Sequence, residues 1–252
     1  MHDGVLAGKR AIVTGGGRGL GRALALALAE SGADVALAAR SSEGIERVAT
    51  EIKERGRCAL SVPTDVTETA DVERLIERTL HELGGLDILV NNSGAIHVAP
   101  LLETNPEDWN RVVLTNLFGT YTCMRAAGRH LAKQGSGKII NVASNLAFKG
   151  RSHLSAYAAS KAAIVSLTRT AAVEWARYGV QANAVAPGHV ETDMNADVRS
   201  DTQLYEKVVG QVPARRMALP EEIGPLVVYL ASSASDFMTG EVLVIDGGEI
   251  VG

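Results

Sequence analysis

Thr14-Gly15-Gly16-Gly17-Arg18-Gly19-Leu20-Gly21 is the stretch on which the fold turns. It stands between a short apolar run, Arg10–Thr14, and a helical stretch, Arg22–Ala29. Glycines at such a junction permit a tight turn and let backbone N–H groups approach a pyrophosphate at a helix N-terminus. The G-x-G-x-x-G spacing cannot be placed, because Gly15 and Gly17 lead to Leu20, and Gly17 and Gly19 lead to Arg22. T-G-x-x-x-G-x-G does fit, through Thr14, Gly15, Gly19 and Gly21. A glycine cluster alone says only that a strand turns into a helix. With a strand before it and a helix after it, the motif reads as a dinucleotide-binding turn.

Outward from that turn the same alternation continues to the end of the chain. Further apolar runs stand at Asp34–Ala38, Cys58–Val62, Asp87–Asn91, Lys138–Val142, Gln181–Ala186 and Val242–Asp246. Runs such as Ile88-Leu89-Val90 are continuously apolar, as expected of strands buried on both faces. The segments between them are helix-length and carry helix ends. Asn105-Pro106-Glu107 reads as cap, first-turn proline and first-turn acid of a long helix toward Lys133, and Thr67 as the cap of a helix to His81. Strand-helix alternation seven times over predicts an α/β single-domain Rossmann fold. Its doubly wound, seven-stranded parallel sheet would carry helices on both faces. No Pro/Ser-rich linker divides it, so residues 1–252 read as one domain.

Bulk composition narrows the function classes. The net charge is -4 with Lys and Arg scattered, which leaves no electrostatic footprint for nucleic acid or an anionic membrane. No apolar run approaches the roughly 20 residues of a membrane span, and Met1-His2-Asp3-Gly4 lacks a signal-peptide pattern. The two cysteines, Cys58 and Cys123, form no disulfide framework or metal motif, and both read as small core hydrophobes. A reducing cytoplasm is the expected setting. No two of the six histidines stand at metal-ligand spacing beside a third ligand, so no metal is expected.

The end of the second strand bears on the cofactor. An acid there would grip both ribose hydroxyls of NAD(H) and repel a 2′-phosphate. The chain reads Ala38-Ala39-Arg40-Ser41-Ser42 instead. Arg40 can meet a phosphate with paired charge-assisted bonds, and Ser41 or Ser42 caps the following helix. The expected cofactor is NADP(H).

Ser144 ends the fifth strand, the edge at which open parallel sheets bind ligands. Tyr157 and Lys161 follow at i, i+4 near the start of a helix extending to Tyr178, about 5–6 Å apart at Cβ. On an arbitrary helix such a pair is an ordinary surface neighbour. Downstream of a dinucleotide turn it reads as an acid/base, the lysine favouring the phenolate by about one to three units.

At these residues the chain resembles the short-chain dehydrogenase/reductase family over nearly its whole length. Asp65-Val66, Asn91-Asn92-Ser93-Gly94, Asn116, Pro187-Gly188 with Thr192, and Asp236–Gly248 match further motifs in order. Ser93 departs from the usual alanine. The resemblance implies a catalytic tetrad of Asn116, Ser144, Tyr157 and Lys161. It implies cofactor contacts at Gly15, Arg18, Gly19, Leu20, Gly21, Arg40, Ser41, Asp65, Val66, Asn92, Gly94, Tyr157, Lys161, Pro187, Gly188, Val190 and Thr192. Leu146, His153, His189 and Met194 are the candidate substrate residues, with Phe148 among the residues expected to set specificity and His97 and His153 in loops at the pocket wall. Lys149 and Arg151 offer positive charge to an anionic substrate, with a solvated basic loop as the expected reading. The expected activity is reduction of a small-molecule carbonyl, or oxidation of the alcohol. A 3-oxoacyl-carrier-protein reductase and a sugar or polyol (gluconate-type) dehydrogenase are the enzyme alternatives. Basic residues that would greet an acyl carrier are replaced by Gly135 and Val173, which weakens the first of these. An NADP(H) sensor would have lost the tetrad. A substrate lid over residues 192–217 and a homotetramer complete the expectations.

Overall fold

The computed structural model describes residues 4–252, so the reading of Met1-His2-Asp3 lies outside the described residues. Seven strands form one parallel sheet: β1 (Arg10–Thr14), β2 (Asp34–Ala39), β3 (Ala59–Pro63), β4 (Ile88–Asn91), β5 (Gly137–Val142), β6 (Val180–Pro187) and β7 (Val242–Ile245). Their order across the sheet is β3-β2-β1-β4-β5-β6-β7. The chain winds outward from β1 in one direction and from β4 in the other, leaving a crevice between the two where ligands of doubly wound sheets bind.

The helices are α1 (Gly19–Glu30), α2 (Ser42–Glu54), α3 (Thr69–Glu82), α4 (Pro106–Val113), α5 (Gly119–Gln134), α6 (Ser155–Trp175), α7 (Ala196–Ser200), α8 (Thr202–Val209) and α9 (Gly224–Ala231). Alternating strand residues feed two cores. Ala11 and Val13 pack with α1, α2 and α9 on one face, while Ile12 packs with α3 and α5 on the other. This period-two division is why the runs are apolar throughout.

Three local expectations are corrected. The long helix from Asn105 toward Lys133 is present, helical throughout, with a π-helical turn, Leu114–Phe118, between α4 and α5. Asn105 does cap α4, its side chain accepting from the Asp108 N–H at 2.8 Å. Thr67 caps nothing, because its N–H and hydroxyl both donate to Asp65 Oδ1, at 2.9 and 2.7 Å, and α3 begins two residues later at Thr69. Ser41 occupies the cap position of α2 without accepting a capping hydrogen bond, so its hydroxyl is not consumed by the helix. Cys58 is exposed: it precedes β3, its backbone N–H donates to Asp34 and its carbonyl accepts from the Val35 N–H, and its side chain is not part of the core.

Candidate active site

The glycine turn is shaped by close contact. Gly15 and Gly19 adopt φ of +65° and +50°, which glycine accepts without strain. A side chain on Gly21 would collide with the Gly15 carbonyl oxygen and the Asn92 amide. That amide donates to the carbonyls of Thr14 (3.0 Å) and Gly15 (3.3 Å), and Thr14 Oγ1 accepts from the N–H groups of Asn92 and Ser93. The end of β4 is thereby stapled to the end of β1, and Ser93 serves through its backbone as alanine would.

A cleft of about 1750 Å³ runs from this turn along the C-terminal strand ends. The expected cofactor residues all line it, from Gly15, Arg18, Gly19, Leu20 and Gly21 through Arg40, Ser41, Asp65, Val66, Asn92 and Gly94 to Pro187, Gly188, Val190 and Thr192. Thr192 closes over the turn, within 3.4 Å of where a Gly19 Cβ would stand. Volume, glycine conformations and donors fit a dinucleotide. Among the described residues, no His, Cys, Asp and Glu side chains group to hold a metal ion.

Ser144, Tyr157 and Lys161 stand together on the cleft wall with Leu146, His153, His189 and Met194. Asn116 is fully buried behind that wall rather than on it. Its amide is saturated, accepting from the Ala95 N–H at 2.7 Å and donating to the Ala95 carbonyl and Ser160 Oγ, each at 3.0 Å. The π-turn places it there, so its reach to the cleft is indirect, past Gly94, whose Cβ would lie near both Asn116 Oδ1 and Lys161 Nζ. His97 turns away from the cleft toward Asp108, at 3.6 Å, and Phe148 is half exposed outside it.

The electrostatics differ from the sequence expectation. Burial raises the Tyr157 phenol above its ordinary value, with the Ser144 hydroxyl opposing the shift. Lys161 Nζ lies 5.6 Å from the Tyr157 ring centre and donates to the Val142 carbonyl at 2.6 Å. Burial pushes its own pKa down to about 8. Desolvation sets the direction of both shifts, and on the phenol it is the Ser144 hydroxyl that opposes it.

A stability prediction follows from this buried ammonium. The unfolded chain binds a proton at Lys161 up to about pH 10.4, the folded chain only to about 8. Stability therefore rises with pH across that window, and the full penalty applies below it. Lys161→Met should stabilise the cofactor-free protein at pH 7 by about 1–2 kcal/mol after the lost Val142 bond, with the gain vanishing near pH 10. Thermal melts of both proteins at pH 7 and pH 10 check this; a destabilised variant at pH 7 would refute it.

Sequence reasoning missed several groups that the fold brings to the cleft. Arg47 of α2 enters it beside the glycine turn, its Nη2 3.5 Å from the Gly17 carbonyl. Asn145 binds Glu249 from more than a hundred residues away. Lys149 and Arg151 are not a solvated loop: both pair with Glu249, whose side chain is 1% exposed. No local signal in the sequence announces that carboxylate.

A family model described as enoyl-(acyl carrier protein) reductase matches residues 15–249. The chain is 38% identical over 246 residues to 2-dehydro-3-deoxy-D-gluconate 5-dehydrogenase of Escherichia coli (strain K12), covering 96% of each. A solved short-chain type dehydrogenase/reductase from Mycobacterium marinum is 40% identical with a TM-score of 0.93, covering 98% of this chain and 97% of that one. A gluconate 5-dehydrogenase from Burkholderia cenocepacia J2315, solved in complex with NADP and tartrate, is 38% identical with a TM-score of 0.95, covering 99% and 98%.

Proposed function

This chain belongs to the short-chain dehydrogenase/reductase family, and from that premise we propose an NADP(H)-dependent oxidoreductase that interconverts a carbonyl and an alcohol. The observation that carries the reading is the convergence of Ser144, Tyr157 and Lys161 on one wall of the cleft that begins at the glycine turn. NADP(H), when bound, supplies or accepts the hydride. Ser144 hydrogen-bonds the substrate oxygen, and Tyr157 gives it a proton or takes one back. Lys161 holds the nicotinamide ribose with Tyr157 and adds positive charge beside the phenol. Asn116 shapes the polar path behind Lys161. Arg18, Arg40 and Ser41 receive the 2′-phosphate, and the NADP found in the Burkholderia relative accords with that preference. Leu146, His153, His189 and Met194 face the substrate.

The segment 192–217 acts as a lid. Met194 is exposed at its start, while Val208, Val212 and Met217 are buried and anchor its far end. Such a segment closes on binding and excludes water. Catalysis takes place in the cytoplasm, where Cys58 and Cys123 stay reduced. No helix among the described residues is long and apolar enough to cross a membrane.

Small ketones, keto sugars and related molecules are the substrate range. Val173 is exposed on α6 and Gly135 ends α5, where an acyl carrier would want basic residues, so the acyl-carrier reading is second. Consumption of NADPH with a panel of ketones, keto acids, keto sugars and an acyl thioester tests the function. Oxidation by the thioester alone would invert the order of the readings.

The assembly is a homotetramer. Phe118, Tyr121 and Val173 are exposed on the faces of the long helices, and β7 is the edge strand of the sheet, paired to β6 on one side, with Val244 partly exposed. Two dyads cover those surfaces, as in closed dihedral oligomers. Sedimentation at micromolar concentration should give four subunits; a stable monomer would refute the assembly.

A further inference from the structure

At the far end of the cleft from the glycine turn, four charged or titratable side chains meet. Glu249 Oε1 accepts from Lys149 Nζ at 2.8 Å and lies 3.4 Å from Arg151 Nη1 and 3.7 Å from His189 Nε2. Its Oε2 accepts from Asn145 Nδ2 at 2.8 Å, and Asn145 is the neighbour of Ser144. The chain end is folded to allow this. Asp246 accepts from the N–H groups of Gly248 and Ile250, and Gly247 and Gly248 both take positive φ, which turns Glu249 inward. A carboxylate buried this completely persists only with opposite charge and hydrogen bonds around it.

Lys149 and Arg151 both pair with the single carboxylate of Glu249, so neither cation has a carboxylate to itself. Burial holds His189 toward its neutral form, and the two cations add to that while Glu249 opposes it. The oxygens of Asp246 are committed to the terminal turn and, at 3.4 Å, to Asn145. Arg151 meets its neighbours through Nη1 alone, reaching Glu249, His189 and the lid residue Gln211 at 3.3–3.5 Å. Among the described residues no hydrogen bond engages its Nε or Nη2, although its side chain is three-quarters covered at the cleft wall. An arginine fixed on one side with its forked donors unspent matches the geometry of a carboxylate.

We propose that Arg151, with Lys149 beside it, forms a carboxylate subsite, so that the substrate is a hydroxy acid or keto acid. Its reacting oxygen lies at Ser144 and Tyr157, and Glu249 is the buried counter-ion that keeps the two cations on the wall. The proposal rests on the reacting centre assigned above. It also couples substrate to lid, because Arg151 reaches Gln211 as well as the ligand.

The test is binding to the NADP⁺-loaded Tyr157→Phe protein, in which turnover is slowed by the loss of the phenol, by calorimetry. The probes are gluconate against glucitol, and 4-hydroxycyclohexanecarboxylate against its carboxamide. A charge-assisted paired bond predicts carboxylates at least about tenfold tighter than their neutral partners. Arg151→Ala should abolish that ratio while leaving NADP⁺ affinity unchanged. Equal affinity within both pairs, or no binding of either carboxylate at millimolar concentration, overturns the subsite without any variant. An Arg151→Ala protein that weakens charged and neutral probes alike also overturns it, assigning Arg151 to structure. Failure of the hydride-transfer reading is separate. It would appear as carboxylate-selective binding with no NADPH formed by the wild-type enzyme from either alcohol, and would leave the subsite standing.

Discussion

Tyr157→Phe should lower kcat by about 10²–10⁴-fold, the scale of general acid–base catalysis, while weakening NADPH by no more than about tenfold, the scale of one ribose hydrogen bond. The substitution removes one oxygen from a ring that is otherwise retained, so the cleft keeps its shape. Burial keeps the phenol protonated at neutral pH in the cofactor-free protein, which suits proton donation to a carbonyl oxygen. In the reverse direction the same group must first lose that proton. Alcohol oxidation by wild-type enzyme should therefore climb with pH through the neutral and alkaline range, and carbonyl reduction should fall at the alkaline end. Residual activity of the phenylalanine variant should lack both arms. Steady-state kinetics across pH in the two directions, with cofactor affinity measured by fluorescence, provide the check. A variant retaining more than half of wild-type kcat would remove Tyr157 from proton transfer.

The second large effect concerns the cofactor. kcat/KM should favour NADPH over NADH by at least about tenfold, the lower end of what one charge-assisted bond contributes. Ala39 ends β2 where an acid would repel a 2′-phosphate, and Arg18, Arg40 and Arg47 all line that part of the cleft. Glu43 lines it too and offsets part of the positive charge. Arg40→Ala should erase most of the preference. Arg47→Ala should erase a smaller share, because its Nη2 is already directed at the Gly17 carbonyl. Ala39→Asp should turn the preference toward NADH, by repelling the phosphate as much as by binding a bare hydroxyl. Wild-type enzyme preferring NADH would make Arg40 a solvated loop residue and undo this reading.

What could be read before folding was local. Strand positions agree with the apolar runs to within a residue at each end, because both-face burial writes itself into consecutive residues. The glycine turn was legible because φ above zero and contact with Asn92 demand glycine at fixed spacing. Tyr157 and Lys161 share a helix, so one turn of α6 sets their separation. Boundaries that depend on alternatives of similar energy were less legible. The π-turn at Leu114–Phe118, the start of α3 and the unspent hydroxyl of Ser41 each replace one hydrogen-bonding pattern with another of comparable energy.

The sequence by itself determined the sheet, the turn that opens the cleft and the one-turn spacing of Tyr157 and Lys161, since each is written in neighbours along the chain. Only the tertiary structure decided the environment of those groups. It buried Lys161 and so moved its pKa, set Asn116 behind the wall rather than on it, and carried Glu249 across about a hundred residues to meet Asn145, Lys149 and Arg151. Solvation and through-space charge depend on what packs nearby, and at that separation nothing in the local pattern records which side chains will be neighbours.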